Sequence, residues 1–456
     1  MGFGLTTGFI PLALYISGVL ALLLSIFWRP IAGLYYLVPL IVLQTLRYRM
    51  NEYPLAQSVV TIMLLGMALG LLRRRQSPIV NTPWTRLLLI YWGYTLFSLC
   101  LGSFTIGAPF PFPGEPRFGV WLDYMNMPTL LLLVAAIAPD RRHAKVMVIL
   151  MCFSALVLNW GYWDSVHDRD YSQFSDSVRE SAGMGYAGLN GMASFAAQFA
   201  TFLIALASFK IRWFLKAGYY ALAAFSAVCL MYTFSRGAYL AFAVGLLFVG
   251  FVKNRMLLVL LVIFALSWTA FVPGAVQDRI FMTYETGGGG GGGVDHSSET
   301  RLRLWEDALE LFTSSNVLFG MGFNTYAYLH RVGTYEDTHN IYVKVLLETG
   351  IIGIFLFLWL LGKSFRVGWR VFRRSNDPFM ASLGLGLAVW ILCCAVSSCF
   401  GDRWMYFQVN GDMWVVAGLI SRTALFNQDE ENTGDDNDAR TESALISPGI
   451  PVAGVA

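Results

Sequence analysis

Residues 379–400 read FMASLGLGLAVWILCCAVSSCF and contain no charged side chain over their whole length. An apolar stretch of about 18 residues or more is long enough to cross the hydrocarbon core of a membrane as a helix. Similar stretches recur along the chain, which is 56% hydrophobic and 13% charged and has a mean hydropathy of +0.56. This composition indicates an integral membrane protein with an all-α fold, a polytopic bundle of transmembrane helices.

Thirteen apolar segments are candidate spans. Segment 31–46 is short for a full crossing and is interpreted as broken or re-entrant, so we expect about 12 crossings. The segments are 7–27, 31–46, 55–72, 86–106, 122–138, 144–163, 187–209, 213–233, 236–252, 255–273, 341–362, 379–400 and 404–421.

Basic residues in short loops mark the cytoplasmic side of a membrane protein. They cluster in alternate loops, at Arg73–Arg75, Arg141–Lys145, Lys210–Lys216, Lys253–Arg255 and Lys363–Arg374. This alternation predicts that the long loop 274–340, between spans 255–273 and 341–362, lies on the outer side. The side of the amino terminus stays open because segment 31–46 is ambiguous.

Two segments differ from the apolar bundle in composition. Residues 287–293 are seven consecutive glycines, which predict a flexible tether inside loop 274–340. Residues 426–456 contain seven acidic residues and one basic residue, which predicts a disordered acidic cytoplasmic tail. We therefore expect residues 1–425, including the loop, to form one transmembrane unit.

The loop continues after the glycines with ETRLRLWEDALELF, residues 299–312. The helical spacing of its apolar residues predicts an amphipathic helix that lies on the membrane surface or caps the bundle. The predicted apolar face consists of Leu302, Trp305, Ala308, Leu309 and Phe312. Arg301 and Arg303 are two residues apart and do not share a face, so Arg303 is expected in solvent and Arg301 is the better site candidate.

Arg236 opens the apolar segment 236–252 on the predicted outer side. The positive-inside bias does not explain an arginine there. Two interpretations stay open: the side chain extends to lipid headgroups, or it forms an anion site together with the N–H groups of a helix N-terminus.

Residues 338–353, THNIYVKVLLETGIIG, place polar residues at the outer end of another span. Thr338 or Asn340 is expected to cap the helix, and the helix N-terminus favours a neutral His339 that accepts a proton. Lys344 and Glu348 follow Asn340 at four-residue intervals and are predicted to pair, either as a structural pair or as part of a wet cavity. Asp412, in the last span, is placed at a similar depth with Asn410.

Two arginines and a neutral histidine at one membrane face suit a substrate with a diphosphate leaving group and an acceptor hydroxyl. The arginines would stabilise the departing charge, and the histidine would deprotonate the acceptor.

The chain resembles the O-antigen ligase and polymerase superfamily, integral membrane glycosyltransferases of the GT-C type. The resemblance rests on four motifs between about 185 and 362: SRGAYL from Ser235, with Arg236 and Leu240; Arg301 four residues before Trp305; His339 and Asn340 followed by Gly350 and Gly353; and GLNGMASF, in which Asn190 begins a span.

The resemblance implies a metal-independent inverting enzyme without a cofactor, with His339 as base and Arg236 and Arg301 on the diphosphate. Asn190, Asn340, Lys344, Glu348 and Asp412 are supporting candidates. The expected donor is a glycan linked to undecaprenyl diphosphate, and the acceptor is a glycan, a lipid A core or a protein. The expected location is a bacterial inner membrane, with the active face periplasmic, contact with membrane lipids, and no nucleic-acid partner. The polyglycine insertion before Arg301 departs from the family pattern.

Three alternatives stay open. A transporter or flippase of lipid-linked glycans also needs polar groups in a bundle, but the charges cluster at one face and no internal repeat is visible. A membrane scaffold would leave the polar residues after His339 without a purpose. RPIAGLYYLVPLIVLQTL, residues 29–46, is similar to members proposed for exosortase-associated protein O-glycosylation.

Overall fold

The computed structural model describes residues 9–138, 140–175, 188–281, 296–329 and 337–421. Within these ranges every regular element is a helix, which confirms the predicted all-α fold. The polyglycine run 287–293 and the acidic tail 426–456 lie outside the described residues, and the expectations for them stay predictions.

The helices follow one another along the chain. They are α1 Phe9–Phe27, α2 Ile31–Val42, α3 Gln44–Arg49, α4 Val59–Arg73, α5 Thr85–Thr105, α6 Pro116–Ile137, α7 Arg141–Val166, α8 Gly188–Ala207, α9 Trp213–Met231, α10 Arg236–Val252, α11 Arg255–Phe271, α12 Gly274–Phe281, α13 His296–Ser314, α14 Thr325–Leu329, α15 Ile341–Arg374 and α16 Pro378–Ser397. A last helix, α17, covers 407–421, and short 3₁₀ turns follow α3 and α16.

Nine helices in the described ranges are long and apolar enough to cross a membrane, or eleven if two sharply bent pairs are each one span. Helix α10, with 17 residues, is a shorter apolar helix. These helices make the chain a multi-pass membrane protein, as composition predicts. The sides of the membrane to which the loops belong stay a prediction.

Two pairs of helices are sharply bent. Helix α2 and the stretch Gln44–Glu52 meet at 106°, which confirms that segment 31–46 is broken. Helices α11 and α12 meet at 111° around Pro273, a residue that cannot donate a backbone hydrogen bond. The axis of α12 therefore points away from that of α11.

The most buried helices are α8 and α16, with 89% and 83% of their apolar windows inside the protein. Trp390 Nε1 donates to Gln198 Oε1 at 2.8 Å, and Gln198 Nε2 donates to Ser397 Oγ at 3.3 Å, so polar side chains join the two helices inside an apolar core. A Cβ atom on Gly245 would lie 2.4 Å from Cys393 Sγ, so α10 and α16 approach each other through a glycine.

Helix α15 is broken at Gly350, where φ is 67° and ψ is −170°. The break exposes backbone groups that would otherwise bond within the helix, and the segment 317–322 satisfies them. The bonds run from Met321 N to Leu347 O (3.0 Å), from Gly322 N to Glu348 O (2.8 Å), from Ile351 N to Val317 O (3.0 Å) and from Ile352 N to Leu318 O (3.3 Å). The long loop is thus fixed to the middle of a membrane helix.

Further bonds hold the next part of this loop against α5 and α6. Phe323 N donates to Ser98 O at 3.1 Å, and Arg117 Nη2 donates to Phe323 O at 3.0 Å. Because the partner groups belong to three helices, α5, α6 and α15, these bonds hold the segment 317–326 in place on the bundle.

Helix α13 caps the bundle, but its buried face differs from the prediction. Leu304, Ala308 and Leu311 are buried, with Trp305 and Phe312 packed beside them. Leu302 and Leu309 are 46% and 45% exposed, so the predicted apolar face was rotated about the helix axis. Trp305 Nε1 donates to Thr338 O at 2.9 Å and fastens α13 to the start of α15.

Candidate active site

A cavity of about 810 Å³, called the large cavity below, opens between the broken helix α2–α3 and the entrance of α15. It is lined by polar residues from the amino-terminal helices and by Asn324, Asp337, His339, Lys344 and Asp402. His339 and Lys344, both chosen from the sequence, therefore face one shared space. This volume is within the usual range of ligand sites, about 300 to 1,000 Å³.

His339 is held by a carboxylate that the sequence analysis did not single out. Asp337 Oδ1 lies 2.7 Å from His339 Nδ1 and also accepts from the backbone N–H of His339 at 2.8 Å. His339 has a φ of 51°, a left-handed conformation that costs free energy in any residue other than glycine. A strained backbone with two bonds to one carboxylate fixes the imidazole in place.

The Asp337 carboxylate stays ionised at ordinary pH. Burial alone would raise its pKa, but the hydrogen bond and positive charge of His339, together with the charge of Lys344, outweigh burial and hold the pKa of Asp337 at about 2. An ionised carboxylate suits a proton on Nδ1 of the imidazole, and Nε2 is then the proton acceptor. The predicted base thus has an orienting partner.

The predicted pair between Lys344 and Glu348 is wrong. Lys344 Nζ instead forms an ion pair with Asp402 Oδ2 at 2.9 Å, and both side chains are less than one-tenth exposed. Glu348 accepts from the backbone N–H groups of Asn324 at 2.8 Å and Tyr326 at 3.2 Å. The reason is tertiary: the docked loop and the segment after α16 bring partners that outcompete a neighbour one helical turn away.

The two arginines chosen from the sequence meet in a second, smaller space, called the arginine pocket below. Arg236 from the start of α10 and Arg301 from α13 line it, together with Arg279 of α12 and Arg403 of the turn after α16. Among the lining residues that the structure describes there is no carboxylate. Arg279 and Arg403 are each 6% exposed, so their charges are largely removed from bulk water. Such a cluster favours an anion.

The arrangement of the pocket explains why Arg301 and Arg303 differ. Arg303 is exposed, as predicted, and it pairs with Glu299 at 2.6 Å on the outer face of α13. Arg301 points to the arginine pocket, where Asn190 of α8 is also a lining residue. Arg279 stacks on the ring of Phe174, with 4.8 Å between the guanidinium carbon and the ring centroid.

Residues that are close together in the sequence line the two spaces. Asp402 lines the large cavity and the next residue, Arg403, lines the arginine pocket. Likewise, Gly188 of α8 lines the large cavity and Asn190 lines the arginine pocket. A molecule that spans both spaces would place one end among arginines and the other beside His339.

Two supporting candidates have other positions. Asn340 caps α15, since its Oδ1 accepts from the N–H groups of Tyr342 (3.0 Å) and Val343 (3.4 Å), as predicted. Asp412 is fully buried in α17 and lines neither space, and Asn410 is occupied by the carbonyls of Arg403 (2.6 Å) and Trp404 (3.2 Å).

Sequence reasoning missed Asp337, Arg279, Asp402 and Arg403. Asp337 had a short-range signal, because an aspartate two residues before a histidine can bond both its backbone and its ring. Arg279 and Arg403 had a weaker one: each stands on the predicted outer side, where a basic residue is not explained by the positive-inside rule. Asp402 follows Gly401 at the end of a span, and its partner was not deducible from spacing.

These features define a class: a multi-pass helical membrane protein whose site combines a histidine–aspartate pair with a pocket of arginines. In a comparison with protein families, the O-antigen ligase family model matches residues 221–358. This match supports the resemblance to the O-antigen ligase and polymerase superfamily and, in general terms, a glycosyltransferase-like activity. A comparison with curated proteins found no match.

The matched range contains Arg236, Arg279, Arg301 and His339. Asn190, Asp402, Arg403 and the amino-terminal lining of the large cavity lie outside it. The cavity lining that comes from α3, α4 and α6 therefore has no counterpart in the matched range.

Proposed function

We propose that the protein transfers a glycan from an undecaprenyl-diphosphate-linked donor to an acceptor hydroxyl at the periplasmic face of a bacterial inner membrane. The product serves surface polysaccharide or lipopolysaccharide biosynthesis. The observation that carries the proposal is a pair of spaces lined by consecutive residues, Asp402 and Arg403, one of which holds His339 and Asp337 and the other four arginines.

The arginine pocket suits the diphosphate of the donor. Guanidinium groups bind phosphate oxygens through paired hydrogen bonds and stabilise the charge that grows on a departing diphosphate. The space between the side chains is only about 20 Å³, room for about one water molecule. The arginine side chains must therefore move outward when the donor enters.

His339 suits the acceptor. The acceptor oxygen attacks the anomeric carbon while its proton passes to Nε2 of His339, and the bond from the anomeric carbon to the diphosphate oxygen breaks. The electron pair of that bond leaves with the polyprenyl diphosphate, and direct displacement inverts the anomeric centre. Asp337 holds the imidazole and stabilises the imidazolium that forms.

Metal independence is part of the proposal. The described residues contain no group of three His, Cys, Asp or Glu side chains arranged to hold a metal ion. Four guanidinium groups supply positive charge at the place where a metal ion would otherwise be needed. Transfer activity in the presence of a strong chelator tests this point.

The decisive experiment uses the full chain reconstituted in liposomes with an undecaprenyl-diphosphate oligosaccharide and a mixture of glycan, lipid A core and peptide acceptors. We expect a glycosylated acceptor and released undecaprenyl diphosphate. His339→Ala should lose transfer but keep donor binding. Full transfer by His339→Ala would refute the assignment of the base, and translocation of the donor without any transfer would favour a flippase.

A further inference from the structure

The described lining of the large cavity differs in charge from the arginine pocket. Its charged residues are three carboxylates and two permanent cations, besides His339: Asp123, Asp337, Asp402, Arg47 and Lys344. The arginine pocket has four cations and, among its described residues, no carboxylate. A donor anion is therefore attracted to one space and not to the other.

Most of the charges in the large cavity are already paired within the protein. Asp337 is bonded to His339 at 2.7 Å, and Lys344 is bonded to Asp402 at 2.9 Å. The Arg47 guanidinium lies 5.3 Å from the ring centroid of Phe407 and donates to Ile41 O at 3.3 Å, so protein groups hold it in place.

Asp123 of α6 is different. It is exposed to the cavity and has no hydrogen bond or ion pair within 4 Å among the described residues, although the charge of Arg47 acts on it. Its carboxylate therefore presents negative charge and hydrogen-bond acceptors to whatever occupies the cavity. A second negative group brought close to this carboxylate would be repelled.

The remaining polar lining consists mainly of side-chain amides. They are Gln44, Asn51, Gln57, Asn126, Asn324 and Gln408. Two of them already donate within the protein, Gln44 to Tyr48 Oη at 2.8 Å and Asn126 to Thr61 Oγ1 at 3.0 Å. Each amide both donates and accepts hydrogen bonds, as sugar hydroxyls do. Tyr48, Tyr406 and Phe407 add aromatic faces against which the apolar face of a sugar ring can pack. The described lining contains no strand edge along which a peptide could extend.

We infer that the large cavity binds the acceptor and that this acceptor is an uncharged glycan, with Asp123 excluding acceptors that carry negative charge near the reacting hydroxyl. The inference rests on the proposed function and adds the substrate class of the same site. Amide groups orient the sugar, His339 takes the proton of its hydroxyl, and Asp123 sets the specificity through repulsion.

A matched pair of acceptors tests the inference. Both are synthetic oligosaccharides that differ only in the terminal residue, a neutral hexose or the corresponding hexuronic acid. With the reconstituted full chain and one polyprenyl-diphosphate donor, we expect kcat/KM to be at least tenfold higher for the neutral acceptor. Asp123→Arg should reduce that ratio at least tenfold, and Asp123→Asn should reduce it by less.

Asp168→Arg is the matched control, since Asp168 is an exposed aspartate outside the cavity lining. It should leave the ratio unchanged. Circular dichroism and donor binding establish that each variant is folded, and Asp123→Asn decides the question if Asp123→Arg does not fold.

The outcomes separate the two claims. Transfer with equal or greater preference for the charged acceptor, or for a serine peptide, would overturn this inference and leave the proposed function standing. A ratio that Asp123→Arg and Asp123→Asn both leave unchanged would also overturn it. Absence of transfer to any acceptor, with the donor not bound, would overturn the proposed function and this inference together.

Discussion

Asp337 Oδ1 lies 2.7 Å from Nδ1 of His339, and the same oxygen accepts the backbone N–H of His339 at 2.8 Å. One carboxylate thus fixes both the ring and the backbone of the proposed base. The ring nitrogen that faces Asp337 is expected to carry the proton, and Nε2 is then the nitrogen that would accept the proton of the acceptor hydroxyl. The pair makes Asp337 a positioning residue for transfer.

Asp337→Asn should lower the transfer rate on the order of 10²- to 10⁴-fold with little effect on donor binding, because general-base catalysis contributes about that much. The pKa of Asp337 is held at about 2, so an assay between pH 5 and 8 always samples the ionised carboxylate in the wild-type protein. Steady-state rates and a separate donor-binding measurement check this prediction. A loss in binding alone would point to a structural role.

A second histidine–aspartate pair provides the control for Asp337→Asn. His167 Nε2 lies 3.0 Å from Asp168 Oδ1, and the Asp168 side chain is 88% exposed. Asp168→Asn removes the same type of contact outside the candidate site. It should leave the transfer rate unchanged, and equal losses in the two variants would contradict the role given to Asp337.

Arg301→Lys should impair transfer, whereas Arg303→Lys should not. The two arginines share helix α13, but Arg301 lines the arginine pocket and Arg303 is exposed in an ion pair with Glu299. Lysine keeps the charge but loses the paired donors of a guanidinium, and a hydrogen bond to a charged group is worth about 1.5 to 3 kcal/mol. We expect a loss of roughly ten- to a hundredfold in kcat/KM for the donor. Similar values for both variants would remove Arg301 from the diphosphate site.

Lys344→Met should destabilise the protein by about 3 to 5 kcal/mol, because it leaves the buried Asp402 carboxylate without its partner. The double variant Lys344→Met with Asp402→Asn should recover much of that loss. Thermal unfolding in detergent measures both effects. Arg141→Met, which breaks the more exposed pair with Asp377 at 2.7 Å, should cost at most about 1 kcal/mol. A larger loss for Arg141→Met than for Lys344→Met would contradict this ranking.

Apolar length was sufficient to predict most of the fold, because a membrane helix satisfies its own backbone and needs only an apolar surface. The break in segment 31–46 was predictable for the same reason, since the segment is too short to cross. The buried face of α13 was not. Leu302 and Leu309 fit the helical period as well as Leu304 and Leu311 do, and only the position of α15 decides which face is covered.

Within the candidate site, sequence reasoning predicted a residue's position where a local rule applied and failed where a distant partner decided. Helical periodicity alone predicted that Arg301 and Arg303 have different surroundings. The position of Asn340 before the helix predicted that it caps α15. The partner of Lys344 was missed because Asp402 lies beyond the whole of α16. A four-residue spacing pairs two charges only when no better partner is folded against the helix.

Gly350→Ala is the sharpest test of how the long loop is held. Gly350 has a φ of 67°, and a Cβ atom there would lie 2.3 Å from the carbonyl oxygen of Leu318. The variant should push segment 317–322 away from the broken helix and disturb Glu348, which binds the N–H groups of Asn324 and Tyr326. We expect a loss of several kcal/mol in the free energy of unfolding, since positive-φ strain and a steric clash add.

Gly362→Ala in the same helix is the control for Gly350→Ala, because nothing lies within 4 Å of its Cβ position. An alanine there should be neutral or stabilise the protein by up to about 1 kcal/mol. Hydrogen exchange of residues 317–326 should rise in Gly350→Ala and stay unchanged in Gly362→Ala. Transfer should fall only in Gly350→Ala, because segment 317–326 supplies Asn324 to the large cavity and leads towards Asp337 and His339. Faster exchange with full activity would show that the docked loop stabilises the bundle without positioning the site.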